Sequence, residues 1–232
     1  MSKQCPPPPD RRSFLTRLNT GLASFAAMTG LAMAQKKPTA GGNWEPARHE
    51  KDDWMDELSS KHRVVFDTTT PEGFGDALAF AGNFIHVNRS EYGLQSGDVA
   101  VVIVARHRSA AFGYNDAMWA KYGTALAARS KVDDPKTKLP PKMNLYNVAG
   151  YGELLRNRGT TLDSLFKQGV QLAVCSLSTH GNAGVIAQEV GGNAEAIFSE
   201  LIANVMSNVR MVPAGVVAVT RAQERGYSLV TS

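Results

Sequence analysis

Cysteine is scarce in this chain, which limits what can hold the fold together. Cys5 and Cys175 are the only two cysteines among 232 residues, so a framework of several disulfides is excluded. The sequence also lacks the run of about 20 predominantly apolar residues that a good membrane-spanning helix needs. It has no HExxH, GxSxG, GxGxxG or phosphate-loop motif, and therefore no local signature of a zinc protease, a serine hydrolase or a nucleotide-binding domain.

The first residues are ordered like a bacterial export signal. Arg11-Arg12 is followed by a modestly apolar run over residues 18–33, which ends in the small-residue pattern AMA at 32–34. This order is typical of export signals, and the arginine pair indicates the twin-arginine route. We therefore predict a twin-arginine signal over residues 1–34, a periplasmic location and membrane contact only during export. A basic tail on a cytoplasmic protein and an uncleaved anchor are the alternatives.

Removal of the signal changes the charge of the chain. Residues 1–34 hold four of the 25 lysines and arginines and one of the 21 aspartates and glutamates. The rest of the chain therefore has a formal net charge of about +1, which gives no basis for nucleic-acid binding, since that needs a clustered basic surface. Cys5 leaves with the signal, so Cys175 becomes the single thiol and no internal disulfide is possible.

The remaining length fits one domain preceded by a leader. Residues 35–61 form the predicted leader, in which Trp54 and Leu58 lie four residues apart. That spacing places both side chains on one side of a helix. We therefore expect a short helix that docks on the domain, and we predict the domain itself over residues 62–232.

Short apolar runs alternate with helical patterns through the domain. The run VAVVIVA is nearly all apolar, as expected for a strand covered on both faces in a parallel sheet. The predicted strands are His62–Thr68, Val99–Ala105, 170–175, Val209–Val212 and 227–230. The predicted helices are 75–92, 114–129, 161–168, 183–190, 194–206 and 215–225. Strands that alternate with helices in this way predict a doubly wound α/β fold.

Residues 130–151 interrupt this alternation. They contain three prolines and six lysines and aspartates before residue 143, a composition that favours neither a helix nor a central strand. A long irregular segment inside a domain is often functional. We therefore predict an excursion or lid loop here, with a short edge strand over residues 144–148.

Reactive side chains follow the ends of the predicted strands. The second strand is followed by Arg106, His107 and Arg108, and the third ends at Cys175, with His180 five residues further on. Ligands of open α/β sheets bind beyond the carboxyl ends of the strands. A thiol there, near cationic side chains and the next helix N-terminus, is favoured as a thiolate nucleophile. Cys175, His107 and His180 are therefore candidate catalytic residues, and Arg106 and Arg108 a candidate anion site.

Two other interpretations of Cys175 stay open on the residues alone. Together with His107, His180 and Met118, the thiol would suit copper or zinc, although no CxxC or HxxxH spacing supports a metal site. A free cysteine is also often a buried core residue without reactivity. We assign no cofactor and no metal ligand from the sequence.

The third strand and the C-terminal segment resemble a known family. The segments GVQLAVC at 169–175 and VRMVPAGVVAVTRAQERGY at 209–227 resemble the DsrE/DsrF-like family of small sulfur-handling proteins. That family has a GV-x-x-x-x-C strand, a V-x-V-V-P-x-G turn, a helix containing glutamine and a closing Gly-Tyr pair. The resemblance covers residues 63–230, with residues 130–158 as an insertion.

This resemblance implies a flavodoxin-like three-layer sandwich with a mostly parallel sheet of about five strands, and assembly into a homo-oligomer, a trimer or a hexamer. In some members a cysteine at the position of Cys175 carries persulfide sulfur between partners. The resemblance therefore implies a sulfur carrier or sulfurtransferase-like protein that acts with a small sulfur anion or a partner protein, and the N-terminal signal predicts that it is exported. The alternative is an oligomeric periplasmic module that is non-catalytic or that binds a metal, a cofactor or an anion.

Overall fold

Five short apolar segments form one sheet in the computed structural model, which describes residues 45–57 and 60–232. The strands are β1 (His62–Thr68), β2 (Val99–Ala105), β3 (Gln171–Cys175), β4 (Val209–Val212) and β5 (Ser228–Thr231). Their order across the sheet is β4-β3-β2-β1-β5, and every neighbouring pair is parallel. The predicted α/β class with a five-stranded parallel sheet is confirmed.

Helices occupy the connections between the strands. They are α1 (Pro71–Ser90), α2 (Asp116–Ser130), α3 (Leu162–Phe166), α4 (Ser176–Val190), α5 (Ala194–Ala203) and α6 (Gly215–Glu224). The chain steps from β1 to β4 in one direction and then returns to the opposite edge for β5. Because crossovers between parallel strands are right-handed, the return connection places α6 on the face opposite the other helices.

The alternation of side chains along the strands divides the core into two halves. Phe66, Ile103 and Leu172 belong to the larger half, which contacts the first five helices. Val102 and Ala173 point to the other face, where a smaller half packs against α6. Helices on both faces of one sheet make a three-layer sandwich, as the flavodoxin-like prediction requires.

The leader contributes to the smaller half of the core. A 3₁₀ helix spans Glu50–Asp56 and buries Trp54 and Met55 against α6. The docking of Trp54 is as predicted, whereas Leu58 and the signal peptide predicted over 1–34 lie outside the described residues. In the part of the chain that is described, no helix has the length and apolar character to cross a membrane.

Capping residues explain where α1 begins. Thr70 accepts a hydrogen bond from the Gly73 N–H at 3.0 Å, and Pro71 occupies the first helical turn. Both residues are typical of a helix N-terminus. The predicted start at residue 75 was therefore four residues late, because the apolar spacing begins only after the capping residues.

Helix α4 differs most from its prediction. It begins at Ser176, directly after β3, and continues to Val190, whereas the sequence predicted only a short turn over 183–190. Its first half reads SLSTHGN, and these polar residues and glycine have weak intrinsic helix propensity. Tertiary packing against the sheet outweighs that preference.

Residues 141–158 contribute buried side chains to the domain, so this part is not the lid that was predicted, whereas residues 131–140 are mostly exposed. Asn144 is buried, and its amide donates hydrogen bonds of 2.7 and 3.1 Å to the carbonyls of Phe112 and Tyr114. Tyr146 is also buried and donates to the Pro71 carbonyl at 2.6 Å. The predicted edge strand over 144–148 contains a 3₁₀ turn instead. Buried polar groups with hydrogen-bond partners fix this segment in place.

Candidate functional site

Three neighbouring strands bring polar side chains together at the carboxyl edge of the sheet. Ala105 pairs with Val174 in the β2–β3 register, so Arg106 and Cys175 follow at the next positions of the two strands. Asp67 lies near the end of β1, on the other side of β2. The register therefore brings Arg106 and Cys175 close together at this edge.

Arg106 is paired with a carboxylate that the sequence prediction did not assign. Its Nε and Nη2 donate hydrogen bonds of 2.7 and 2.8 Å to the two Asp67 oxygens. These hydrogen bonds raise the pKa of Arg106 above its ordinary value, against the opposing effect of desolvation. A bidentate pair of this kind fixes the guanidinium and compensates much of its charge.

Cys175 caps the helix that follows it. Its Sγ accepts a hydrogen bond from the Ser178 backbone N–H at 3.4 Å, so the thiol occupies the N-cap of α4. Helix N-termini carry positive partial charge and are suited to bind anions. The side chain is nevertheless only 5% exposed. A reagent must therefore approach through a local opening.

His107 stands in an unusual backbone conformation beside this thiol. Its φ is 55°, in the left-handed region where a side chain costs about 1–2 kcal/mol. The His107 backbone N–H donates to the Ser178 hydroxyl at 2.7 Å, and the His107 side chain is exposed. Ser178 thus connects the His107 backbone to the Cys175 sulfur through its hydroxyl and its own N–H.

His180 faces a different part of the molecule. Its ring stacks on Phe198 of α5, with ring centroids 3.5 Å apart, and its Nδ1 lies 4.0 Å from a Glu195 carboxylate oxygen. Met118 lies in the larger half of the core, on the sheet face opposite Ala173. No group of three or more metal-ligating side chains of His, Cys, Asp or Glu occurs among residues 45–57 and 60–232.

Arg108 is the second arginine of the predicted anion site. It is half-buried, and its backbone N–H donates to the Thr69 carbonyl at 3.1 Å. Its Nε is buried without a hydrogen-bond partner among the described residues. A buried donor of this kind has capacity for an acceptor such as an anion.

A buried hydrogen-bond chain behind Cys175 was missed by the sequence reasoning. The Asn182 amide donates to the Tyr114 hydroxyl at 2.9 Å, and that hydroxyl lies 3.0 Å from the Thr179 hydroxyl. Thr179 donates in turn to the Cys175 carbonyl at 3.1 Å. Burial raises the pKa of Tyr114 to about 12, so its hydroxyl stays protonated and remains a donor. No local motif connects residues so far apart in sequence.

A cavity of about 470 Å³ lies next to the thiol. Its lining includes Ser176, which follows Cys175 in the chain, and Val212, which pairs with Cys175 in the sheet. Pro213 completes the same wall. The larger groove between α1 and β5, of about 660 Å³, contains none of the predicted site residues. Of these two cavities, the smaller one is lined by neighbours of Cys175.

Comparisons with known proteins add little to this description. No family model matches the chain, and no curated protein matches its sequence. A solved structure of a protein of unknown function from Methanobacterium thermoautotrophicum is similar at 15% sequence identity, with a TM-score of 0.37. The similarity covers 74% of this chain and 99% of that one. A likeness of this degree supports no statement about activity.

Proposed function

We propose that this protein is a thiol-dependent sulfur carrier that holds sulfane sulfur on Cys175. The observation that carries the proposal is the placement of Sγ at the N-terminus of α4, where it accepts the Ser178 N–H at 3.4 Å. Ser176 and Val212, two neighbours of Cys175, line a cavity of about 470 Å³ that is large enough for a small donor. The resemblance to the DsrE/DsrF-like family supports the same chemistry from the sequence side.

The proposed loading step is a displacement at sulfur. With thiosulfate as the donor, the Cys175 thiolate attacks the sulfane sulfur, and a new S–S bond forms. The S–S bond of thiosulfate breaks, and sulfite leaves with its electron pair. Cys175 then carries a persulfide, which a thiol of a partner protein can accept. Arg108 and the first turn of α4 are suited to hold the anionic donor.

Mass spectrometry tests this proposal directly. Full-length protein with Cys5→Ser is incubated with thiosulfate or polysulfide, and the peptide containing Cys175 should gain the mass of one sulfur atom. Cyanide or a reducing thiol should remove the added sulfur. The Cys175→Ser variant provides the control. Unchanged Cys175 peptide under conditions that load a known persulfide-forming thiol contradicts the proposal.

The burial of Cys175 favours a second candidate function. At 5% exposure, and with Arg106 already compensated by Asp67, the edge also suits a non-catalytic module that binds a metal, a cofactor or an anion. In that case incubation with thiosulfate or polysulfide adds no sulfur to Cys175. Elemental analysis and an absorption spectrum of protein purified from its native compartment identify a bound metal or coloured cofactor.

The cellular setting belongs to the same proposal. We infer from residues 1–34 that the protein is exported by the twin-arginine route and works in the periplasm, as a homotrimer or homohexamer. Fusion of residues 1–40 to a reporter that requires folded export tests the first inference. Light scattering of the purified protein gives the oligomeric state.

A further inference from the structure

A second cavity adjoins the one beside Cys175. The two spaces, of about 470 and 590 Å³, share Lys51, Val212 and Pro213 in their walls. We call the two together the Lys51 cleft, with an inner part that reaches Ser176 and an outer part between the 3₁₀ helix Glu50–Asp56 and α6. The inner part is lined by Ser176, which follows Cys175 in the chain, and by Val212, which pairs with Cys175 in the sheet.

Lys51 carries the charge of the inner part, whereas the outer part is also lined by Arg48, Glu50, Asp52 and Arg221. Lys51 is the single charged residue among those that line the inner part. In the outer part, Arg48 is paired with Asp56 at 3.3 Å, and Arg221 with Glu224 at 2.6 Å. Lys51 has no such ion-pair partner within residues 45–57 and 60–232, and it is exposed. Its ammonium group is thus available to an incoming anion.

The backbone that presents Lys51 is firmly attached to the domain. Trp54 and Met55 are buried beside α6, and the Tyr227 hydroxyl donates to the Met55 carbonyl at 2.6 Å. The fully buried guanidinium of Arg225 donates to Asp56 at 3.1 Å. A rigid support of this kind keeps a charge at a defined position. The position of Lys51 is therefore set by the fold and not by a freely moving leader.

We infer that Lys51 is a binding residue that selects anionic reagents for Cys175. This inference rests on the proposed function and names its substrate class: small sulfur donors of one or two negative charges, in preference to neutral ones. A single exposed ammonium a few ångströms from the path of an anion has a modest effect that salt screens. The inference therefore predicts a charge-dependent rate and no effect on neutral reagents.

Two alkylating reagents of similar size separate charge from accessibility. Iodoacetate is anionic and iodoacetamide is neutral; with either, the Cys175 thiolate forms a C–S bond and iodide leaves with the electron pair. The measured quantity is the ratio of the two rates, in full-length protein with Cys5→Ser. Lys51→Gln should lower this ratio about threefold, and about 0.5 M salt should abolish the difference. Lys51→Arg should preserve the ratio.

Arg48→Gln is the matched control, because Arg48 lines only the outer part and is paired with Asp56. It should leave the ratio unchanged. An unchanged ratio in Lys51→Gln, with normal iodoacetamide reaction, overturns the inference and leaves the sulfur-carrier proposal intact. A thiol that reacts with neither reagent until the protein is unfolded contradicts the proposed function, and the inference with it.

Discussion

The guanidinium of Arg106 and the carboxylate of Asp67 are joined by two parallel hydrogen bonds of 2.7 and 2.8 Å. These hydrogen bonds connect the carboxyl ends of the neighbouring parallel strands β1 and β2. Cys175 ends β3, on the other side of β2 from Asp67. The positive charge that Arg106 presents at this edge of the sheet is therefore compensated by Asp67.

Asp67→Asn should release this charge. We expect a loss of about 1–2 kcal/mol in the free energy of unfolding, because a charge-assisted pair is replaced by a neutral acceptor. The ratio of iodoacetate to iodoacetamide reaction at Cys175 should rise. Urea denaturation measures the first effect. Asp76→Asn is the control, since its partner Arg156 is largely exposed, and it should cost less than 0.5 kcal/mol. Equal costs for the two variants contradict this account.

Gly215→Ala should displace the Arg106 side chain and so disturb the same Arg106–Asp67 pair. A Cβ at Gly215 would lie 2.6 Å from the Cβ of Arg106, which neither backbone can accommodate without a shift. We expect destabilisation of about 1–3 kcal/mol. Gly184→Ala gives the contrast, because an added Cβ there meets no heavy atom within 4 Å and should stabilise α4 by about 0.5–1 kcal/mol. Thermal or urea unfolding shows whether the signs differ.

His107→Gly should separate backbone strain from the function of the imidazole. Glycine adopts a φ of 55° without steric cost, so the variant should be as stable as the wild type or up to about 1 kcal/mol more stable. If the imidazole assists Cys175, sulfur loading slows in the same protein. His107→Asn, which also tolerates this region, serves as the second variant. A large loss of stability in His107→Gly would show that the side chain has a structural role.

Tyr114→Phe should show the value of the buried chain behind Cys175. The change leaves the Asn182 amide and the Thr179 hydroxyl without the phenol oxygen that they now contact at 2.9 and 3.0 Å. Unsatisfied buried groups cost about 1–3 kcal/mol. Tyr92→Phe is the matched control, because Tyr92 is 72% exposed, and its effect should stay within about 0.5 kcal/mol. Indistinguishable unfolding curves for the two variants contradict the prediction.

Acid should loosen the attachment of the leader. Burial opposes ionisation of Asp56, but hydrogen bonds from Arg63 and Arg225 outweigh it and hold its pKa below the ordinary 3.8. A lowered folded-state pKa stabilises the protein above the unfolded value, and this contribution disappears as the pH falls through the folded value. The free energy of unfolding should therefore decline below about pH 4. In Asp56→Asn, the free energy of unfolding should lack this part of the decline with falling pH. Identical pH profiles for the wild type and the variant contradict the prediction.

Local composition was sufficient to locate most of the strands. β1, β2 and β4 have the bounds that the sequence predicted, because short apolar, β-branched runs between turn residues have few other solutions. β5 begins one residue later than expected. The parallel sheet followed from the alternation of strands and helices. These signals act within a few residues, so no knowledge of distant contacts was needed.

The helix starts and the irregular segment were harder to predict. α4 begins in a polar, glycine-containing stretch whose helicity comes from packing on the sheet. Residues 130–158 have a loop-like composition, but Asn144 and Tyr146 are buried by partners from the connections on either side of β2. Composition reports the average polarity of a segment and not the few side chains that anchor it.

The side chains at the carboxyl edge of the sheet were predicted partly from the sequence and identified partly from the tertiary structure. The sequence alone placed Cys175 and Arg106 each at the carboxyl end of a strand, and parallel strands share one carboxyl edge. The fold showed that Asp67 compensates Arg106, that His180 stacks on Phe198, and that Lys51 reaches the cavity beside Ser176. Those relationships depend on strand order, register and helix orientation, which join residues far apart in the chain and leave no local trace in it.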